Sequence, residues 1–284
     1  MLTDTHAHLD FPEFAADFDA MLSRASASGV HRLVTIGTSL DGSRRAIALA
    51  ERYPQIFAVV GVHPGNAADA PEDIITPLRT LARHPRVVAI GECGLDYHRL
   101  PSSRMHEAAV ATQALGNETP ANLGGVIADG AERDRQAAIF TQQLDLAVEL
   151  GLNVVIHERD AWDDTLRILG RVAGQLRAVF HCFGKGPDYA RQVLDIGHII
   201  SFTGIVTFKN AGPVKETATS IPAGRFMLET DGPYLAPVPY RGKRCEPAHV
   251  RSTAETVAAL RGVPLESLAA ETEATANGFF RFPT

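Results

Sequence analysis

The sequence has 284 residues, of which 45% are hydrophobic and 21% are charged, and its formal net charge at pH 7 is -6. These values are ordinary for a globular protein, and the negative charge excludes a protein that binds duplex nucleic acid mainly through a basic surface. No apolar run approaches the roughly 18 residues of a membrane span, and the first residues do not resemble a signal peptide, so we expect a cytoplasmic protein that contacts no membrane.

Short apolar runs rich in Val, Ile, Leu and Phe alternate along the chain with longer amphipathic stretches. Such runs are typical of parallel strands that are buried on both faces. The eight runs lie at residues 1–5, 32–37, 57–62, 87–92, 153–157, 178–182, 198–203 and 226–230.

Helical periodicity lies between these runs and after them. It is visible at residues 134–150, where Gly151 fits a C-cap, and then at 163–172, 188–195, 213–220, 249–260 and 265–280. Eight strands alternating with helices predict an α/β fold, namely a single (β/α)8 TIM-barrel domain over residues 1–284 with C-terminal closing helices. An open doubly wound sheet is the alternative.

One stretch interrupts this alternation. Residues 100–131 are rich in Ala, Gly, Thr, Asn and Pro, contain no aromatic residue, and show no helical period until Asp134. Loops of this length are uncommon inside compact domains. We interpret the stretch as an insertion after the fourth strand, either a tolerated loop or a lid or subunit contact on the catalytic face.

Five of the eight runs end in residues that can bind a metal ion. The first run leads into His6-Ala7-His8, and residues i and i+2 of a strand point to the same side. The carboxyl ends of barrel strands converge on one face, which holds the active site. We therefore predict one metal centre that is formed by His6, His8, Glu92, His157, His181 and Asp231.

The number of ligands favours two cations. Four imidazoles and two carboxylates exceed the set that one tetrahedral zinc uses, and Glu92 can bridge a pair of metal ions. The ligand types suit zinc, manganese or cobalt, whereas magnesium prefers more oxygen ligands. The metal identity stays open among zinc, manganese and magnesium.

Several motifs of the chain resemble signatures of the TatD family of metal-dependent deoxyribonucleases, in the same order and over nearly the whole sequence. The resemblance implies an amidohydrolase-like barrel with a binuclear centre and 3′-to-5′ cleavage of DNA, at single strands or 3′ ends. Two features depart from the family pattern. One is the insertion after Arg99, and the other is Gly184, which stands where serine is common. The motifs are residues 4–10, DTHAHLD; 61–64, GVHP; 91–97, GECGLDY; 181–183, HCF; 229–235, ETDGPYL; and 239–244, PYRGKR.

The same resemblance implies how the ligands divide between the metals. One ion would be held by His6, His8, Glu92 and Asp231, and the other by Glu92, His157 and His181.

Further residues near the strand ends are candidates for catalysis. Asp231 can accept a proton from the attacking water, or serve only as a ligand. His63 follows the third run and can contact the phosphate, protonate the leaving oxygen, or hydrogen-bond to a ligand. Asp96 is predicted to orient a ligand histidine.

Three residues are candidates for binding substrate. Tyr97 can stack on a base, and Arg159 and Arg241 can bind phosphate, although each arginine is equally consistent with a solvated loop. The cysteines Cys93, Cys182 and Cys245 show no CxxC spacing, and we interpret them as reduced thiols rather than ligands.

The function that these features favour is a metal-dependent exodeoxyribonuclease. A binuclear barrel also supports hydrolysis of another ester or of an amide, including an aminoacyl-tRNA ester, because fold and metals alone do not separate these reactions. A non-catalytic metal-binding partner protein is a third possibility, and a monomer is plausible.

Overall fold

The computed structural model describes residues 1–103 and 123–283. Its eight strands are all parallel and are paired in chain order from first to last. The strands are Leu2–Ala7 (β1), Val30–Ile36 (β2), Ile56–Val60 (β3), Val87–Asp96 (β4), Asn153–Arg159 (β5), Ala178–Phe180 (β6), Ile199–Phe202 (β7) and Phe226–Leu228 (β8).

The sheet closes between the ends of its first and last strands. Ala7 forms a parallel bridge with Gly232. The N–H of Asp231 donates to the carbonyl oxygen of His6 at 2.9 Å, and the N–H of His8 donates to that of Gly232 at 2.8 Å. The predicted TIM barrel is therefore confirmed, and the open doubly wound sheet is excluded.

Helices surround the barrel. In the described part of the chain they are Phe18–Ala27 (α1), Leu40–Arg52 (α2), Ile75–Ala82 (α3), Leu123–Leu150 (α4), Trp162–Leu169 (α5), Pro187–Asp195 (α6), Gly212–Ser220 (α7), Val250–Arg261 (α8) and Leu265–Phe280 (α9). None of them combines the length and apolar character that a membrane crossing requires.

The helix α4 begins at Leu123, whereas the periodicity predicted a start at Asp134. Glycines at 124, 125 and 130 hide this helical segment in the sequence, because glycine disfavours helix. Residues 104–122 of the predicted insertion lie outside the described residues, and its interpretation as a loop, lid or subunit contact stays a prediction.

The last helix closes the amino-terminal end of the barrel. Phe279 and Phe280 of α9 are buried with strand residues such as Val34, Val155 and Met227, which form one apolar cluster. The side chain of Asn153 donates to the carbonyl oxygen of Phe279 at 2.6 Å. Because apolar side chains fill this end of the barrel, we expect a polar site at the opposite end, which is formed by the carboxyl ends of the strands.

A buried histidine at the filled end gives the fold a pH dependence. His198 precedes β7, and its Nδ1 accepts a hydrogen bond from the N–H of Ala178 at 3.3 Å. Burial, with smaller contributions from the charges of Arg177 and Arg225, lowers the pKa of His198 to about 4. The unfolded chain binds a proton here near pH 6.5, so stability falls as the pH decreases from about 6.5 towards 4.

We expect His198→Gln to reduce this pH dependence. The fall in unfolding free energy between pH 7 and pH 5 should be smaller in the variant by about 1–2 kcal/mol, because one group no longer titrates. Urea denaturation at both pH values measures the difference. The exposed His31→Gln serves as the control, and equal pH dependence in all three proteins would contradict the assignment to His198.

Candidate metal centre

Glu92 of β4 lies at the centre of the carboxyl end of the barrel. Its Oε1 is 2.9 Å from Nδ1 of His157 and 2.8 Å from Nε2 of His181. Its Oε2 is 3.4 Å from Nε2 of His6 and 3.8 Å from Nε2 of His8. The two carboxylate oxygens therefore face two different pairs of histidines, one from β1 and the residue after it, and one from the ends of β5 and β6.

Asp231 completes this arrangement from the loop after β8. Its Oδ1 is 3.4 Å from Nε2 of His8 and 3.7 Å from Nε2 of His6. The structure thus brings together all six residues that the strand-end pattern predicted. The ligand atoms of these six residues and of His63 fall into overlapping groups, each within 4.8 Å, that could hold a metal ion: His6 with Glu92 and His181, His6 with His8 and Asp231, and His63 with Glu92 and His157.

The closing seam of the barrel fixes the two ends of this site. Asp4 is fully buried, and its side-chain carboxyl oxygens accept hydrogen bonds from the N–H of Thr230 at 2.9 Å and from its hydroxyl at 2.6 Å. The hydroxyl of Thr5 donates to the carbonyl oxygen of Leu228 at 3.0 Å. These bonds hold His6 and His8 in register with Asp231.

Close contact between β4 and β5 positions the middle of the site. Gly94 pairs with His157, and a Cβ at Gly94 would overlap the carbonyl oxygen of His157. Gly94 also has φ +139°, a conformation that other residues rarely adopt. Only glycine therefore allows Glu92 and His157 to approach as they do.

In His8 and His157, the ring nitrogen that faces away from Glu92 (the outer nitrogen) has a polar partner. This contact orients the ring so that the other nitrogen (the inner nitrogen) faces the site. Nδ1 of His8 lies 3.4 Å from the carbonyl oxygen of Ile36, which can only accept. Nε2 of His157 lies 3.2 Å from Oδ2 of Asp96. Each contact favours a proton on the outer nitrogen and leaves a lone pair on the inner one, as a metal ligand requires. Asp96 lies where its predicted orienting role requires.

Glu229 is a buried partner of the site that the sequence reasoning did not select. Its Oε1 lies 3.5 Å from Nδ1 of His181 and accepts a hydrogen bond from the N–H of Cys182 at 2.6 Å. Its Oε2 accepts from the hydroxyl of Ser201 at 2.6 Å. The signal in the sequence was a carboxylate just after the apolar strand β8, two residues before Asp231.

Nearby histidines keep the two carboxylates of the site, Glu92 and Asp231, ionised. Burial alone would raise the pKa of Glu92, but the nearby His181, His63 and His6 hold it well below its ordinary value. Burial likewise acts to raise the pKa of Asp231, and hydrogen bonding with His8 and the charges of His6 and His181 outweigh it. Both carboxylates are therefore ionised, which is the form that binds cations.

The donor set fits a divalent metal. Both ring nitrogens of His6 are buried without a hydrogen-bond partner in the described chain. Buried polar atoms are nearly always paired, so these nitrogens indicate a missing partner. A cation beside Nε2 of His6 would supply one, and imidazole with carboxylate suits zinc and manganese.

The predicted substrate residues differ in exposure. Tyr97 is half-buried, its hydroxyl donates to Oδ2 of Asp164 at 3.0 Å, and Arg133 lies 4.6 Å above its ring. Arg159 is exposed at the end of β5. Arg241 is also exposed and stacks on the ring of Phe208 at 3.7 Å.

The three cysteines are free, as predicted. Cys93 and Cys245 are buried, and Cys182 is partly buried, with its sulfur 3.6 Å from the hydroxyl of Thr203. Burial raises the pKa of the Cys182 thiol to about 12, so the thiol is protonated at neutral pH. None of the three belongs to a group of described residues that could hold a metal ion.

The fold and site define a metal-dependent hydrolase on a TIM barrel, and comparisons with known proteins agree. The family model described as TatD related DNase matches residues 3–281. The metal-dependent hydrolase YabD of Bacillus subtilis is 36% identical over 282 residues, which cover 99% of each chain. The 3'-5' ssDNA/RNA exonuclease TatD of Klebsiella pneumoniae is 34% identical over 286 residues, which cover 98% of this chain and 97% of that protein.

The solved structures give the same result. The crystal structure of YJJV, a TatD homologue from Escherichia coli, superposes with a TM-score of 0.84 at 26% identity, covering 99% of this chain and 98% of that chain. The present chain belongs to the TatD-related DNase family.

Proposed function

We propose that this hydrolase is a 3′-to-5′ exonuclease that removes nucleotides from single-stranded DNA with two divalent cations, zinc, manganese or magnesium. The central observation is Glu92, whose two oxygens face separate histidine pairs, as a carboxylate that bridges two metals would. The name of the Klebsiella pneumoniae relative supports the polarity and the substrate class. The proposal includes a single domain and a cytoplasmic location, in which the free thiols stay reduced.

The proposed ligands follow the contacts of the site. His6, His8, Glu92 and Asp231 would hold one cation, and Glu92, His157 and His181 the other. Bound there, the two cations would supply an activated water and neutralise charge on the phosphoryl oxygens.

Asp231 is the proposed general base. Its side chain is 13% exposed, whereas that of Glu92 is 2% exposed, so Asp231 is the carboxylate that solvent water reaches more readily. Asp231 is ionised and can accept the proton of the attacking water, whereas Glu92 is surrounded by histidine side chains.

His63 is proposed to donate a hydrogen bond to a phosphoryl or leaving oxygen. Its Nδ1 accepts from the N–H of Gly65 at 2.9 Å, so in the neutral ring the proton is on Nε2. That nitrogen faces the site, 3.6 Å from Oε1 of Glu92. Burial lowers the pKa of His63 to about 3, so the ring is neutral at neutral pH and acts as an N–H donor rather than as a protonated acid.

Arg159 and Arg241 are the proposed phosphate contacts on the approach to the site. Both are exposed, and stacking of Arg241 on Phe208 holds the guanidinium plane while its N–H edges remain available.

The proposal is tested on a 5′-labelled single-stranded DNA oligomer. Metal-free protein resupplied with magnesium, manganese or zinc should shorten it from the 3′ end, and Asp231→Asn should lower the rate at least about a hundredfold, because the base is lost. A 3′-terminal phosphorothioate should slow the wild type if digestion starts there. The exposed Asp41→Asn, which pairs with Arg44, is the control.

Two outcomes would contradict this function. No digestion with any metal, despite about two bound metals per chain, would exclude the nuclease and direct the search to esters and amides, starting with charged tRNA assayed beside DNA. Shortening from the 5′ end would reject the proposed polarity.

A further inference from the structure

Two aromatic residues extend from the metal centre to the surface of the barrel mouth. The ring of His8 stacks on Phe11, with centroids 4.9 Å apart and an interplanar angle of 20°. Phe11 in turn contacts Tyr234, with centroids 6.3 Å apart and an angle of 82°. Tyr234 therefore lies two ring contacts away from a proposed metal ligand.

Tyr234 is the exposed end of this row. It is 52% exposed, although it follows Asp231 by only three residues. Because the two rings are nearly perpendicular, Phe11 covers at most one face of the tyrosine ring. Among the described residues, none forms a hydrogen bond with the Tyr234 hydroxyl. Neither burial nor a hydrogen bond therefore explains why a tyrosine occupies this position.

The backbone around Tyr234 is held firmly. Its N–H donates to the carbonyl oxygen of Asp231 at 3.0 Å, and the N–H of Cys245 donates to that of Pro233 at 2.9 Å. The carbonyl oxygen of Leu235 lies so close to Gly204 that a Cβ there would overlap it. An aromatic ring on a fixed turn loses little conformational entropy when a ligand stacks on it.

The geometry points to Tyr234, supported by Phe11, as the residue on which a nucleobase next to the cleaved phosphodiester stacks. This inference rests on the proposed exonuclease function. Tyr97, the stacking residue that the sequence predicted, is half-buried beneath Arg133 and offers less free ring surface. Every base has a π-face, so stacking on Tyr234 would hold a strand end without selecting its sequence.

The first test compares intact oligonucleotides with oligonucleotides that lack the base at the 3′-terminal or the penultimate position. The wild type should have a kcat/KM roughly tenfold higher on the intact strand than on at least one abasic strand. This ratio should fall towards one in Tyr234→Ala and persist in Tyr234→Phe. Tyr189→Ala is the matched control, because Tyr189 is 43% exposed but packs on Trp162.

An unchanged ratio in Tyr234→Ala at both abasic positions would overturn the inference. Partial unfolding of a variant would lower kcat/KM on intact and abasic strands by the same factor, so the ratio separates loss of the ring from loss of the fold, and its persistence in Tyr234→Phe shows that the hydroxyl is not required.

The second test measures binding without cleavage. Metal-free protein is titrated into oligonucleotides that carry 2-aminopurine at the same two positions. Quenching of 2-aminopurine by the wild type, weakened in Tyr234→Ala, supports stacking. If the wild type cleaves DNA but both proteins quench equally, the exonuclease function stands and stacking on Tyr234 is rejected. If quenching depends on Tyr234 but no cleavage occurs with metal, the exonuclease function is rejected and base binding stands.

Discussion

Glu92→Gln should remove bound metal and lower hydrolysis by about three orders of magnitude. Metal ions contribute several kcal/mol of charge stabilisation in such reactions, and each factor of ten in rate corresponds to about 1.4 kcal/mol. Glu92 has its side-chain oxygens within 3.8 Å of His6, His8, His157 and His181, so a single substitution affects both proposed metals. The amide keeps the size of the side chain and removes its charge.

The measurement is metal content per chain beside kcat on single-stranded DNA. Glu158→Gln is the matched control, because Glu158 lies near the mouth on the neighbouring strand β5 but pairs with Nζ of Lys185 at 3.4 Å and accepts from the N–H of Ala161. That variant should retain its metal. Full metal content in Glu92→Gln would show that the histidines and Asp231 suffice, and would reject the bridging role.

Gly94→Ala should lower the free energy of unfolding by more than about 4 kcal/mol. The new Cβ would overlap the carbonyl oxygen of His157, which belongs to the paired strand and cannot move without breaking the β4–β5 ladder. The φ of +139° adds backbone strain of about 1–3 kcal/mol. Activity should fall as well, because any shift of β5 moves His157 away from Glu92.

Urea denaturation of the metal-free proteins measures this effect. Gly278→Ala is the control, since Gly278 is exposed on α9 and a Cβ there meets nothing within 4 Å. That variant should be more stable by about 0.5–1 kcal/mol, because alanine favours helix. A Gly94→Ala protein as stable as the wild type would mean that β4 and β5 can separate without cost.

The barrel could be predicted because its strands are buried on both faces and therefore appear as uninterrupted apolar runs. The strand ends were less predictable. β4 continues through Cys93 to Asp96, and β5 continues to Arg159, because backbone pairing persists where the side chains turn polar at the mouth. The start of α4 was missed because its glycines and alanines show no amphipathic period.

The convergence of the six residues that were predicted as ligands could be expected, because each follows an apolar run and the strand ends of a barrel meet at one face. Glu229 also follows an apolar run, but its contact with His181 and the contact of Asp4 with Thr230 involve partners from other strands and were not predicted. Nothing in the local sequence of Tyr97 shows that Arg133 would lie over its ring. The sequence alone therefore does not predict side-chain contacts between segments that are far apart in the chain.

The seam between β1 and β8 gives the metal centre a further property. His6 and His8 come from the first strand, and Asp231 comes from the loop after the last one, so that part of the centre exists only when the chain has closed on itself. A cation that binds the closed chain more tightly than the open one stabilises closure by the same free energy. The affinity for the cation beside His6, His8 and Asp231 and the closure of the barrel are thus linked, so that opening of the seam weakens the binding of this cation.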